Sequence, residues 1–194
     1  MRIVHVDTEK GFRGGEGQVI SLMKGLRQQG IHQVLAAREG EELARRARDE
    51  DFEVSELPPR SPKKLRKIVE DFDATLIHAH TGNAHRTAVS AAEGKWPVVV
   101  TRRVDFPIKK NPFSKRKYLA KNVSYIAIST GVAQVLKGGG VPEERIDLVF
   151  SGVEPDRFRG ATGRQRVREE WRITEPGPVV GTVGAYVDHK DPLN

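Results

Sequence analysis

The chain contains no cysteine, which excludes a disulfide framework and thiolate metal sites and fits a reducing compartment. Aromatic residues make up only 6% of its 194 positions, and no base-reading motif accompanies them, which argues against a nucleic-acid-binding module. No apolar run approaches the ~18 to 20 residues that cross a bilayer. The opening, Met1-Arg2-Ile3-Val4-His5-Val6-Asp7, reads as a strand rather than a signal peptide. Repeats and low-complexity segments are also missing. The expected location is cytoplasmic.

The length is that of one ordinary domain, and 37% apolar residues suffice for a proper core. The 33 Lys plus Arg exceed the 26 Asp plus Glu by seven. That excess is local: Arg102 to Lys121 hold eight bases and one acid, and the rest of the chain is balanced at 25 and 25. A uniformly basic nucleic-acid coat is therefore not the meaning of the high pI.

Short β-branched runs alternate with helical patterns. Strands are predicted at Ile3 to Val6, Gln33 to Ala37, Phe52 to Leu57, Ala74 to His78, Val98 to Thr101, Tyr125 to Ile128, Ile146 to Phe150 and Val179 to Val183. Val19, Leu22, Met23 and Leu26 carry the spacing of a helix with one buried stripe, as do Leu65, Ile68, Val69 and Phe72. This rhythm predicts a doubly wound α/β fold with a mainly parallel sheet, which binds ligands outside the carboxyl ends of its strands. Beyond the boundary Pro176-Gly177-Pro178, the last strand has no following helix to cover it. The expectation is a first domain at 1–174, with 175–194 the hinge and first strand of a truncated second domain.

Four loops after strands carry chemistry. Gly11-Phe12-Arg13-Gly14-Gly15-Glu16-Gly17 precedes a helix, where close backbone amides and the helix dipole suit a phosphate or carboxylate. It matches neither the dinucleotide fingerprint nor the Walker pattern. His78 and His80, two apart, share a face at a strand end. A metal site from His78, His80 and His85 would lack a carboxylate in the same loop, so core or substrate-contacting histidines are the favoured reading, with His5 structural. Arg102 and Arg103, followed by Asp105, suit bidentate grip on an anion. Lys109, Lys110, Lys115, Arg116 and Lys117, interleaved with Ile108, Phe113 and Tyr118, read either as a surface for an anionic membrane or phosphorylated acceptor, or as a solvated helix face. Ser129 and Thr130 fit a helix cap better than a ligand contact.

Taken together, Tyr125 to Val132, Gly140-Val-Pro-Glu-Glu-Arg-Ile146 and Ser151-Gly-Val-Glu-Pro-Asp-Arg-Phe158 resemble the end of the amino-terminal domain of retaining glycosyltransferases of family 4, which have the two-domain GT-B fold. The resemblance implies transfer of a sugar from a nucleotide-activated donor to an acceptor hydroxyl, with retention and no cofactor or metal. It implies catalytic roles for His80, lining the cleft, and for Arg103. Gly14, Gly15 and Lys190 would meet the donor phosphates. Glu16, Arg102, Asp105, Lys115, Arg116 and Lys117 fall to the acceptor, and the basic segment Arg102 to Lys121 adds the expectation that this acceptor is anionic or membrane-borne, a lipid-linked or lipopolysaccharide-type glycan. Arg103 stands where many members have a histidine, so its implied role is electrostatic. Gly184-Ala185 replaces the usual Gly-Arg, Ser151 and Glu154 replace Asn and Asp, and the family's paired carboxylates of the second domain are absent. The fragment is expected to be inactive alone. The alternative is a nucleotide- or NAD(P)-binding Rossmann domain of an oxidoreductase, which wants an acid ending the second strand where this chain has Ala36-Ala37-Arg38-Glu39.

Overall fold

The computed structural model describes residues 1–181 other than 110, 161 and 162. Strands and helices alternate: β1 (Arg2–Asp7), α1 (Gly14–Gln28), β2 (His32–Ala37), α2 (Glu42–Asp49), β3 (Glu53–Glu56), α3 (Pro62–Asp71), β4 (Leu76–Ala79), α4 (Gly82–Ala92), β5 (Val98–Arg102), α5 (Pro112–Tyr118), β6 (Val123–Ala127), α6 (Thr130–Gly138), β7 (Ile146–Leu148) and α7 (Arg164–Glu170). The strands form one parallel sheet in the order β3-β2-β1-β4-β5-β6-β7. The strand expected at Val179 to Val183 is not formed in its described part: 179–181 are irregular and Val180 is 94% exposed. A strand exists through its hydrogen-bonded neighbour, and none of the described ladders includes these residues.

Side-chain alternation builds a core on each face of the sheet. Val34 and Ala36 of β2 join Leu65 and Val69 of α3, Ala84 and Ala88 of α4, and Leu136 of α6. Leu35 and Ala37 point the other way, to Val19 and Met23 of α1 and to Leu43 and Ala47 of α2. The helix starts follow from their caps. Thr81 Oγ1 accepts from Ala84 N, Asn111 Oδ1 from Ser114 N, and Ser129 Oγ from Val132 N, each satisfying a first-turn amide that the helix itself leaves open. Of the pair Ser129 and Thr130, then, Ser129 is the cap.

Packing divides the chain into a unit from Met1 to Gly152, which holds the whole sheet, and a second from Val153 onward. In the second unit α7 is tied to the chain that follows it, Arg168 donating to Glu175 O at 2.8 Å and to Gly177 O.

The sheet's strand order reverses between β1 and β4: the chain winds outward from β1 through β2 and β3, then returns to β4 and continues the other way. Crevices at such reversals, at the carboxyl ends of the strands, are where open α/β sheets bind. Here the loop before α1, the end of β4 and the end of β5 meet.

Candidate active site at the strand reversal

In β1 the residues from Ile3 to Asp7 are all buried, yet His5 and Asp7 are polar. Val4 and Val6 belong to the core under α3 and α4, so the alternation of a strand turns His5 and Asp7 to the opposite face. The register pairs His5 with His78, and the same alternation puts His78, His80, Thr101 and Arg103 on that face too. A polar stripe thus crosses β1, β4 and β5 where a buried sheet would ordinarily be apolar. Its ring centroids lie 5.4 Å apart for His5 and His78, 5.3 Å for His5 and His80, and 4.2 Å for His78 and His80. His5 Nδ1 meets His80 Nε2 at 3.0 Å, and His78 Nε2 meets Thr101 Oγ1 at 2.8 Å. Burial holds all three imidazoles neutral, His5 at about 4 and the others well below the ordinary histidine value, with mutual and Arg103 repulsion adding for His78 and His80.

A pocket of about 610 Å³ opens at this edge. Its wall combines acids (Asp7, Glu9, Glu16), bases (Lys10, Arg13, Arg38, Arg102, Arg103), His80, His85 and Tyr118, with Gly15 and Gly82 supplying backbone. Asp7 is 2% exposed. Burial pushes its carboxyl up to about 7, Glu16 and Glu9 push the same way, and the Glu9 amide and Arg103 oppose them. Glu16 sits in the first turn of α1 and accepts the Arg13 amide at 2.7 Å, a favourable place for a carboxylate at the positive end of the helix. Burial lowers the Arg103 guanidinium from its usual value, while Asp7 and Glu16 raise it.

The adjacent arginines part company. Arg103 Nη1 donates to His80 O at 3.0 Å, and its side chain runs 3.6 Å from where a Cβ on Gly15 would stand. Arg102 donates to Tyr118 Oη at 2.6 Å and to Phe106 O. Successive strand residues face opposite ways, so the pair does not form the joint clamp that its sequence suggests, although both contribute to the pocket wall.

The histidine grouping set aside in the sequence, His78, His80 and His85, is not the one that the fold brings together. His85 packs edge-on against Tyr118 and Tyr125 and meets Lys117 O at 3.2 Å, whereas His5 joins His78 and His80, with one nitrogen of each within 4.8 Å of the others. The expectation that His5 is merely structural gives way to a place in the stripe. Gly15, Glu16, His80, Arg102 and Arg103 line the pocket; Gly14, Asp105, Lys115, Arg116 and Lys117 do not. Lys190 and Lys110 lie outside the described residues. Arg116 and Lys117 instead border a second pocket of about 590 Å³, with Arg86, Lys109, Asn111 and Phe113. There Lys117 donates to Gly82 O at 3.1 Å, and burial with the Arg86 and Arg102 charges brings its amine down to about 8. Sequence reading missed Asp7, Glu9, Arg38 and Tyr118 as pocket residues. For Asp7 the signal was present, since two polar residues at alternate positions of a fully buried strand require a polar destination.

A family model for Glycosyltransferase Family 4 matches residues 12–157. No curated protein matches the chain in sequence. Solved structures do match. Alr3699/HepE of Anabaena, in complex with UDP-glucose, is similar with a TM-score of 0.72 and 15% identity over 89% of this chain and 50% of its own. The lipopolysaccharide outer core galactosyltransferase WaaB, in its apo form, is similar with a TM-score of 0.61 and 11% identity over 79% and 46%. UDP-GlcNAc 2-epimerase from Neisseria meningitidis, bound to UDP-GlcNAc, has a TM-score of 0.61 at 13% identity over 89% and 54%. The chain spans about half the length of these structures. At such identities the likeness speaks for the fold, which is the amino-terminal, Rossmann-like half of a GT-B architecture, and an epimerase shares it.

Proposed function

The chain belongs to glycosyltransferase family 4, and on that premise we propose that its pocket is the acceptor side of an enzyme that transfers a sugar from a nucleotide-activated donor to an acceptor hydroxyl, with retention. The carrying observation is the mixture on the pocket wall. Carboxylates, guanidinium groups, hydroxyls and imidazoles alternate within about 610 Å³, which suits a polyhydroxylated ligand that both gives and takes hydrogen bonds.

Departure of a nucleoside diphosphate develops negative charge. The open amides at the start of α1, at Gly14 and Gly15, and the Arg103 guanidinium are the groups of this half that would stabilise it, with Lys190 of the donor side. In this reading cationic side chains and amides carry the leaving-group charge, with no divalent ion required. Residues 175–194 are read as the hinge into a donor-side domain. The acceptor is read as a glycan at an anionic membrane, with α5 as the contact: Phe113 is 86% exposed beside Lys115 and Arg116. That mode of contact accords with a chain in which no helix among the described residues is long and apolar enough to cross a membrane.

The test is transfer of label from a panel of nucleotide-sugars. The 194 residues alone are expected to give no product, and the chain joined to a donor-side domain is expected to give product with the donor's anomeric configuration. Product of inverted configuration, or turnover by the 194 residues alone, overturns the reading.

A further inference from the structure

His80 is 3% exposed, and its Nδ1 is buried without a hydrogen-bond partner among the described residues. Such an atom is rare, because a buried polar group without a partner loses its hydration and gains nothing in return. Its protonation state follows from the bonds behind it. Gln33, at the second position of β2, donates through Nε2 to Met23 O at 3.0 Å and Ile31 O at 3.3 Å, which fixes the amide with Oε1 facing His5. Oε1 carries no hydrogen, so His5 Nε2, 2.9 Å away, is the donor. A neutral imidazole has a single N–H. His5 Nδ1 is therefore a lone pair, and His80 Nε2, 3.0 Å from it, supplies the proton of that bond. Neutral His80 is left with a bare Nδ1.

Arg103 Nε is likewise buried without a partner. Both residues line the same pocket, and the bond from Arg103 Nη1 to His80 O holds one against the other. These two lining residues thus carry an acceptor wanting a donor and a donor wanting an acceptor. A hydroxyl supplies both; a carboxylate cannot donate, and an ammonium cannot accept.

We propose that Gln33 and His5 are positioning residues which hold His80 as the Nε2–H tautomer, so that His80 Nδ1 and Arg103 Nε together receive one hydroxyl group of a sugar ligand. Neither Gln33 nor His5 lines the pocket; they act through His80. A divalent ion on His5, His78 and His80 is the competing use of these nitrogens. It would replace the proton shared by His5 and His80, with no carboxylate in the group and with the Arg103 charge close enough to depress both His78 and His80. The identification of the hydroxyl as a sugar's rests on the function proposed above; the tautomer does not, and the experiment reads the two separately.

Long-range proton–nitrogen NMR of the ¹⁵N-labelled chain at neutral pH reads each ring nitrogen directly. Expected are a protonated Nε2 and a bare Nδ1 on both His5 and His80. Gln33→Leu removes the acceptor and is expected to give His80 mixed tautomers, and Gln33→Glu, which keeps an acceptor, to restore the single one. A protonated Nδ1 on wild-type His80 overturns the relay without need of any variant, as does an unchanged His80 in folded Gln33→Leu. Methyl glucoside is expected to move the His80 Nδ1 signal, while acetate and methylammonium at equal concentration leave it in place. No response to the glucoside overturns the hydroxyl site while leaving the family and the tautomer standing. Equimolar Zn²⁺ is expected to change nothing; stoichiometric loss of the His5 and His80 signals would assign the cluster to a metal and overturn the proposal.

Discussion

Asp7 is a carboxyl group whose surroundings hold it near half-ionised at neutral pH. Its folded value of about 7 lies above the 3.8 of an exposed aspartate, so between those limits the folded chain binds more proton than the unfolded one. Stability contributed by the protonated form is present at pH 4 and is lost as pH rises through 7. Asp7→Asn keeps the shape and removes the charge. It is expected to stabilise the protein at pH 8 by on the order of 2–4 kcal/mol and to have little effect at pH 4, read from urea unfolding at the two pH values. Equal effects at both would show that the carboxyl is not held up by burial. His80 and Arg103 were legible in the sequence because each stands at a strand end, which local pattern reveals. The partnership of His5 with His80 was not, because it depends on β1 lying next to β4 rather than on anything within either segment.

At the scale of elements, α5 is where the charge of the sequence becomes a surface. Lys115 and Arg116 are exposed beside Phe113, whereas Lys117 is partly buried and bonded to Gly82 O. The eight-base segment therefore has a structural part and a free part. Lys115→Glu with Arg116→Glu is expected to abolish cosedimentation with phosphatidylglycerol vesicles while leaving the melting temperature unchanged; retained binding removes the membrane contact. The segment is anchored by close packing. A Cβ on Gly139 would fall 2.5 Å from Ile108 Cδ1 and 3.1 Å from its Cβ, so a larger residue at the end of α6 would require Ile108 to shift. Helices with large apolar stripes, α1 and α3, were readable from spacing. The helix α2 was not: its buried face is Leu43 with Ala44 and Ala47, too slight a signal among its charges.

At the scale of the whole molecule, the four histidines buried among the described residues weigh against acid. His5, His78, His80 and His85 all have folded values depressed by burial below the unfolded 6.5. The unfolded chain therefore gains protons first as pH falls, and the stability contributed by the neutral rings, fully present above 6.5, is lost below it. Asp7 acts in the opposite sense but is one group against four. The melting temperature is expected to drop between pH 7.5 and 5, read from thermal unfolding at the two pH values. A flat profile would mean that the rings protonate in place. The doubly wound class was legible from the rhythm of strands and helices, since each parallel pair needs a crossover. At 179–181, the described part of the strand expected at 179–183, the chain is irregular, because an apolar run predicts burial but does not supply the neighbour that makes a strand.

The reversal of strand order also sets a clock. His5 and His80 are 75 residues apart in the chain, and β1 meets its β4 neighbour only after β2, β3 and three helices have been made. At a synthesis rate of ~5–20 residues per second, the first histidine waits roughly 4 to 15 s for its partner to be polymerised. During that interval β1 can pair only with β2, and the face bearing His5 and Asp7 has no second wall. The pocket is thus among the last features of the early sheet to close, and a ribosome that stalls before residue 80 presents a nascent chain with half a sheet and an open polar seam.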